Sequence, residues 1–211
     1  MPDNRVLSEH YERFHRERGK GGTVAVGRRV GFIVERVGSG KRVLDLGCRY
    51  GDLALSYLEG NTLVGVDVDR AALDECSRRT GMEVHHQDLS ERLRFDDASF
   101  DVAVLADVLE HLPYPDLILS EIRRVLRPGG TLVGSVPNGT RLRNRLSFLV
   151  TGDVGEDPTH LWYYGTGELV ARLSRFFDDV EVEPTGGRFL RLWPRMMAKY
   201  ILFAATKPAT A

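Results

Sequence analysis

Lysine, cysteine and long apolar runs are all scarce in this chain. Its 29 basic residues include four lysines (Lys20, Lys41, Lys199 and Lys207), the rest being arginine, a bias that genome composition produces as readily as function. The only cysteines are Cys48 and Cys76, which excludes a disulfide framework and a multi-thiolate metal site. No apolar run approaches the roughly 20 residues that span a bilayer, and the first thirty residues lack the apolar core of a signal peptide. A reducing, cytoplasmic location is the expectation. An excess of one charge is missing too: the formal net charge is −1, so no global field argues for nucleic acid or another polyionic partner.

What is present describes one globular unit. The 211 residues are 42% hydrophobic and 28% charged, enough for a single domain over 1–211 and too few for two ordinary ones. From Asn4 to about Val37 the pattern is helical: Val6, Leu7, Tyr11 and Phe14 share a face, a KGG break follows, and Val24 to Val37 resumes an amphipathic period. From Lys41 the rhythm changes. RVLDLG, LVGVDV, MEVHHQ, FDVAVLA and GGTLVGSVP are strand candidates separated by stretches long enough for crossover helices, which predicts an α/β fold, a parallel sheet with helices on both faces. Asp69 is placed to cap a helix over Arg70 to Thr80 that Gly81 ends, and Pro115 and Asp116 open a helix that the RPGG of Arg127 to Gly130 closes. Asn138 to Gly165 reads as an irregular insertion, followed by a helix (Thr166 to Phe176), a strand (Val180 to Glu183) and a last strand, YILFAAT. The expected division is an N-terminal helical cover (1–38), a core (41–138), a cap (139–165) and a C-terminal part of the sheet (166–211).

The first strand runs into LDLGCRYGDLA, where Asp45, Gly47 and Gly51 lie at the strand-to-helix turn. Glycine there allows positive φ and close approach of a ligand to the backbone. Asp67 ends the second strand, where a carboxylate can accept both hydroxyls of a ribose; Asp88 ends the third, where it can accept from an adenine amino group. Each sits at the carboxyl end of a strand, the edge at which open parallel sheets bind ligands. The spacing G-x-x-x-G is not the G-x-G-x-x-G of dinucleotide-binding dehydrogenases.

VLDLGCRYGDLA, LVGVDVD, HHQDLS, FDVAVLADVLEHL and RVLRPGGTLVGSVPN, in this order and spacing, resemble the successive motifs of class I S-adenosylmethionine-dependent methyltransferases. The resemblance covers about Arg42 to Asn138. It implies a Rossmann-like, seven-stranded sheet whose last strand, YILFAAT, inserts antiparallel, with S-adenosylmethionine as cofactor over the turn of Asp45, Gly47, Cys48 and Gly51. By position, Asp67 would hold the ribose, Val68 would flank the adenine, Asp88 and Leu89 would meet its other edge, and Ala106 or Asp107 would lie by the methionine moiety. Arg49 stands where many members have a third glycine, so its side chain is expected to point away from the cofactor or toward the methionine carboxylate.

Methyl transfer from a sulfonium needs an aligned nucleophile and, for a hydroxyl, a base. His111 and His160 are the base candidates; His85 and His86 are read as a strand pair, one inward and one outward. The segment DPTHLWYYGTGEL, a histidine with aromatics ahead of a helix, resembles stretches that line the acceptor cavity in methyltransferases of glycan and small-molecule hydroxyls, including ubiquinone O-methyltransferases. Asp107, Glu110, His111 and the distant His160 would also suit Mg²⁺, Mn²⁺ or Zn²⁺, similar to the set of small-RNA 3′-end methyltransferases. The same D-V-L-E-H-L is ordinary in metal-independent members, and no metal ligand is assigned. The expected activity is O-methylation of a small-molecule or glycan-like hydroxyl. A metal-dependent ribose 2′-O-methyltransferase of RNA ends and a non-catalytic cofactor-binding accessory protein stand as alternatives. RLRNRLSFLV and FLRLWPRMM leave peripheral contact with an anionic membrane open, and a homodimer is left open as well.

Overall fold

A computed structural model describes residues 27–153, 157–186, 190 and 193–209. Most of the expected N-terminal cover, including Val6, Leu7, Tyr11 and Phe14, lies outside the described residues. Seven strands form one sheet: β1 (Arg42–Leu46), β2 (Thr62–Asp67), β3 (Glu83–His86), β4 (Phe100–Ala106), β5 (Leu126–Pro137), β6 (Asp178–Thr185) and β7 (Tyr200–Thr206), in the order β3-β2-β1-β4-β5-β7-β6. The strands β3, β2, β1, β4 and β5 pair in parallel; β7 runs antiparallel to both β5 and β6. The expected Rossmann-like sheet with an antiparallel last strand is what forms.

Register explains the shape of the site. Leu46 of β1 pairs with Val66 of β2 and Leu105 of β4, and Ala106 pairs with Ser135 of β5. The carboxyl ends of the central strands therefore finish at one level. Their buried side chains read as near-continuous apolar runs, the signature of strands covered on both faces. On one face, α1 (Arg28–Val37) and α2 (Arg70–Thr80) pack Phe32, Ile33, Val37, Leu73 and Cys76 against Val43, Val102 and Val104. On the other, α3 (Pro115–Val125) and α5 (Thr166–Leu173) bring Ile118, Leu119, Ile122, Leu169 and Leu173 against Leu44, Leu105 and Phe203. Asp69 caps α2 by accepting from the Ala72 amide at 3.1 Å, and Gly81 ends it with φ 69.

Three local expectations need correction. RPGG does not close α3: the helix ends at Val125, and β5 begins at Leu126, so Arg127 to Gly130 already belong to the strand. The insertion is not irregular throughout, because Leu142–Thr151 forms a helix, α4, ended by Gly152 with φ 74. The helix expected over Thr166 to Phe176 stops at Leu173. Beyond Gly186, Pro194–Met197 makes a single helical turn before β7. No described helix is long and apolar enough to cross a membrane.

Candidate active site

The turn after β1 is closed by backbone hydrogen bonds to its neighbour. The Gly47 and Cys48 amides both donate to the Val66 carbonyl, at 2.8 and 3.2 Å. Gly47 has φ 75, and a Cβ on it would come within 2.4 Å of Val108 Cγ2. The turn can thus lie against the loop that leaves β4 only because residue 47 has no side chain. Arg49 holds φ 44, a conformation that costs an L-residue about 1 kcal/mol. Its guanidinium lies over the Tyr50 ring, 5.4 Å from the centroid. Its amide donates to Asp67 Oδ2 at 2.9 Å, which ties the turn to the end of β2.

Asp67 is 4% exposed and accepts from the Asp69 amide through Oδ1, at 2.9 Å, as well as from Arg49. Burial raises its carboxyl above the ordinary aspartate range against those two bonds. Each oxygen accepts one amide and keeps a lone pair, which suits a cis-diol such as a ribose. Asp88, half-buried, accepts from the Ser90 amide through Oδ1 at 2.7 Å, and Leu89 beside it is buried in the apolar core. Val68 and Ala106 are half-buried at the ends of β2 and β4. Asp45 lies deeper: the Tyr57 hydroxyl donates to it at 2.8 Å, and burial pushes its carboxyl up to about 7. Cys48 packs beside Cys76, whose hydrogen bond, followed by burial, pushes the Cys48 thiol up. It is a neutral packing group in the turn. Two carboxyls on adjacent strands, a glycine turn and a third carboxyl at the next strand form a donor and acceptor set that fits S-adenosylmethionine.

The second half of the site follows β4. Asp107 holds φ 55; its amide donates to the Ser135 carbonyl, and its carboxylate accepts from Ser135 Oγ at 2.8 Å and pairs with Arg29 at 2.8 Å. Arg29, on α1, is 5% exposed. A short 3-10 turn, Leu109–His111, then buries Glu110 to 1% exposure. The Glu110 carbonyl accepts from the Leu161 and Trp162 amides at 2.9 and 3.1 Å, and Trp162 Nε1 donates to the Leu112 carbonyl at 2.9 Å. Those bonds fasten the distant aromatic segment onto the β4 loop. His111 and His160 are consequently neighbours, with ring centroids 4.8 Å apart.

A chain of hydrogen bonds determines which nitrogen of His111 carries the proton. Thr159 Oγ1 donates its only hydrogen to Asp157 Oδ1 at 2.6 Å, so toward His111 it can only accept. The Thr159 carbonyl and Oγ1 both lie 3.1 Å from His111 Nδ1. Nδ1 therefore bears the hydrogen, and in the neutral ring Nε2 is the acceptor nitrogen, 4.0 Å from Glu110 Oε1.

The sequence placed Asp67, Asp107 and His111 at the carboxyl ends of the strands and left open whether His160 joins them; the structure sets His160 beside His111. It sets His85 and His86 apart on the outer strand β3, where His85 pairs with Glu83 at 2.7 Å and packs edge-on to Phe95. Sequence reasoning missed Arg29, Ser135 and the Asp157–Thr159 relay. Arg29 left one readable signal, a charge on the Phe32 and Ile33 face of an amphipathic helix; Ser135 and Thr159 left none.

Comparison with known proteins agrees with this fold. Residues 44–134 match the family described as "Methyltransferase domain". A protein of Mycolicibacterium smegmatis described as a probable S-adenosylmethionine-dependent methyltransferase is 34% identical over 155 residues, covering 72% of this chain and 56% of that one. A ubiquinone biosynthesis O-methyltransferase of Nitrosococcus oceani is 36% identical over 108 residues, covering 48% and 46%. The chain spans about half the length of these curated relatives. Among solved structures, a Thermotoga maritima S-adenosylmethionine-dependent methyltransferase superposes with a TM-score of 0.71 at 19% identity, over 94% of this chain and 99% of that one. The cyclase SpnF superposes with 0.67 at 22% identity, over 86% and 80%; likenesses at such identities concern the fold alone. Together with the motif residues in register, these matches identify the chain as a class I S-adenosylmethionine-dependent methyltransferase domain, a family whose cofactor is S-adenosylmethionine.

Proposed function

We propose that this chain transfers a methyl group from S-adenosylmethionine to a hydroxyl oxygen of a small-molecule or glycan-like acceptor, with His111 or His160 taking the hydroxyl proton. The cofactor, when bound, supplies a methyl already activated on a sulfonium. The chain must then hold both reactants in line and receive one proton. Asp67 and Asp88 are the groups that would fix the nucleoside; Gly47 and Gly51 let the turn beneath it pack against Val108 and against Cys76 and Thr80.

The observation that carries the hydroxyl reading is the imidazole pair beside the end of β4. A ring whose Nδ1–H is held by Thr159 presents Nε2 as an acceptor in a fixed direction, the arrangement a general base needs. His160, half-buried, lies on the same side, with Tyr163 6.3 Å beyond it. Several curated relatives are named for O-methylation in ubiquinone biosynthesis, which favours a hydroxyl over a nitrogen acceptor. In the segment after β5, α4 exposes Leu146, Phe148, Leu149 and Val150, directly after Arg141, Arg143 and Arg145, a surface suited to an amphiphilic acceptor or to a lipid layer that holds one.

The test is methyl transfer from labelled S-adenosylmethionine to a panel of phenolic, catecholic and sugar hydroxyls. His160→Ala is expected to lower turnover at least tenfold while cofactor affinity stays nearly unchanged, since a general base contributes about 10² to 10⁴. Unchanged turnover removes His160 from the mechanism. Tight cofactor binding with no methylation of any acceptor would point to the non-catalytic accessory reading instead.

A further inference from the structure

Glu110 combines deep burial with a lack of partners. It is 1% exposed, and among the described residues neither carboxylate oxygen has a hydrogen-bond partner. An ionised carboxylate in that position costs several kcal/mol unless a proton or a cation joins it. We infer that Glu110, His111 and His160 form a binding site for one divalent transition-metal ion.

Three further observations support this. One ligand atom from each of the three side chains lies within 4.8 Å of the others. Ligands on a common ion stand about 3 to 3.5 Å apart at bond lengths near 2.1 Å, so modest rotations of side chains complete the set. The hydrogen bonds of His111 select the tautomer a metal-bound ring uses: Nδ1–H is held by the Thr159 carbonyl and hydroxyl, and Nε2, the acceptor nitrogen, lies 4.0 Å from Glu110 Oε1. Second-shell carbonyls orient metal-bound histidines in this way. His160 is held over Glu110 by the bonds from the Leu161 and Trp162 amides to the Glu110 carbonyl, so the third ligand is delivered by backbone.

The donor set chooses the class of metal. Two imidazoles and one carboxylate suit zinc, cobalt, manganese or iron(II) and leave positions open, whereas calcium and magnesium favour oxygen alone. Asp107, expected from sequence to belong to the set, does not join it: its carboxylate is occupied by Arg29 and Ser135. The pairing also neutralises the Arg29 guanidinium, leaving Glu110 as the carboxylate that meets the ion. A bound ion would lower the pKa of an acceptor hydroxyl on an open position, so the imidazoles act as bases in the ion-free chain and as ligands in the ion-loaded one. Only that consequence rests on the proposed reaction; ion binding does not.

The chelator-stripped full chain is titrated with Co²⁺, without cofactor or acceptor, and read by visible absorption, with Zn²⁺ displacing the cobalt spectrum. One equivalent of Co²⁺ should bind. His160→Ala and Glu110→Gln should each abolish stoichiometric binding, while Thr159→Ala weakens it about ten- to a hundredfold. Because His160 is half-buried, its alanine variant is expected to keep the native circular dichroism and report binding alone. No cobalt spectrum in the wild-type chain, or an unchanged one in His160→Ala, overturns the site. The two readings fail separately, since cobalt uptake is scored without turnover and methyl transfer is scored by product.

Discussion

Asp67 has two kinds of work at one carboxylate. Through the Arg49 and Asp69 amides it shapes the turn, and under the proposed function its remaining lone pairs would accept the hydroxyls of the ribose. Hydrogen bonds to a charged group contribute about 1.5–3 kcal/mol. Asp67→Ala is therefore expected to raise the dissociation constant for S-adenosylmethionine at least tenfold, measured by calorimetry. Asp67→Asn retains an acceptor for one of the amides, so it should fall between the two. Normal affinity in the alanine variant would contradict the assignment. The place of Asp67 at the carboxyl end of the second strand was legible from the sequence, whereas its bonds to the Arg49 and Asp69 amides were not. Arg49 was legible only as a departure; its positive φ shows that the backbone keeps a glycine-like turn under a bulky side chain.

At the scale of elements, α1 is attached to the site through the ion pair of buried Arg29 with half-buried Asp107. Removing one partner leaves the other charge uncompensated and costs up to about 3 kcal/mol. Arg29→Ala should lose stability of that order in urea unfolding. Arg29→Met combined with Asp107→Asn should recover most of it, since both charges leave together and asparagine tolerates the positive φ at 107. A loss below about 0.5 kcal/mol in Arg29→Ala would show that the pair does not anchor the helix. The strands and α2 were readable from period, caps and glycines. What the pattern hid was contextual: α4 exposes its apolar residues, so no hydrophobic face announced it, and RPGG enters the sheet because its backbone pairs with neighbours that a local turn rule cannot see. For the same reason the His111 relay through Thr159 and Asp157 was invisible: its members are 48 residues apart in sequence, joined by backbone bonds to Glu110.

For the whole molecule, gathering acids at one edge of the sheet has a thermodynamic consequence. Asp45 is enclosed by Tyr57, Asp67, Cys48 and Cys76, and burial, with a smaller contribution from Asp67, raises its carboxyl from 3.8 to about 7 despite the Tyr57 hydrogen bond. Between those two values the folded chain holds a proton that the unfolded chain has released. The unfolded state then binds fewer protons, so stability falls as pH rises through this window. Carboxylates shifted the other way, Asp97 by its hydrogen bond to Arg124 and Glu183 by that to Arg28, lose their contribution only as pH drops below their ordinary values. Their effect and that of Asp45 therefore act in different ranges. The ligand-free chain should be most stable near pH 5 and lose stability toward pH 8. Asp45→Asn keeps an acceptor for Tyr57 and removes the titration, so the gap between wild type and variant should change by roughly 2.5 kcal/mol between pH 5 and pH 8, read from denaturant unfolding at each pH. A gap that stays constant would mean that Asp45 is ionised in the folded chain throughout, and that the sheet edge tolerates its charge.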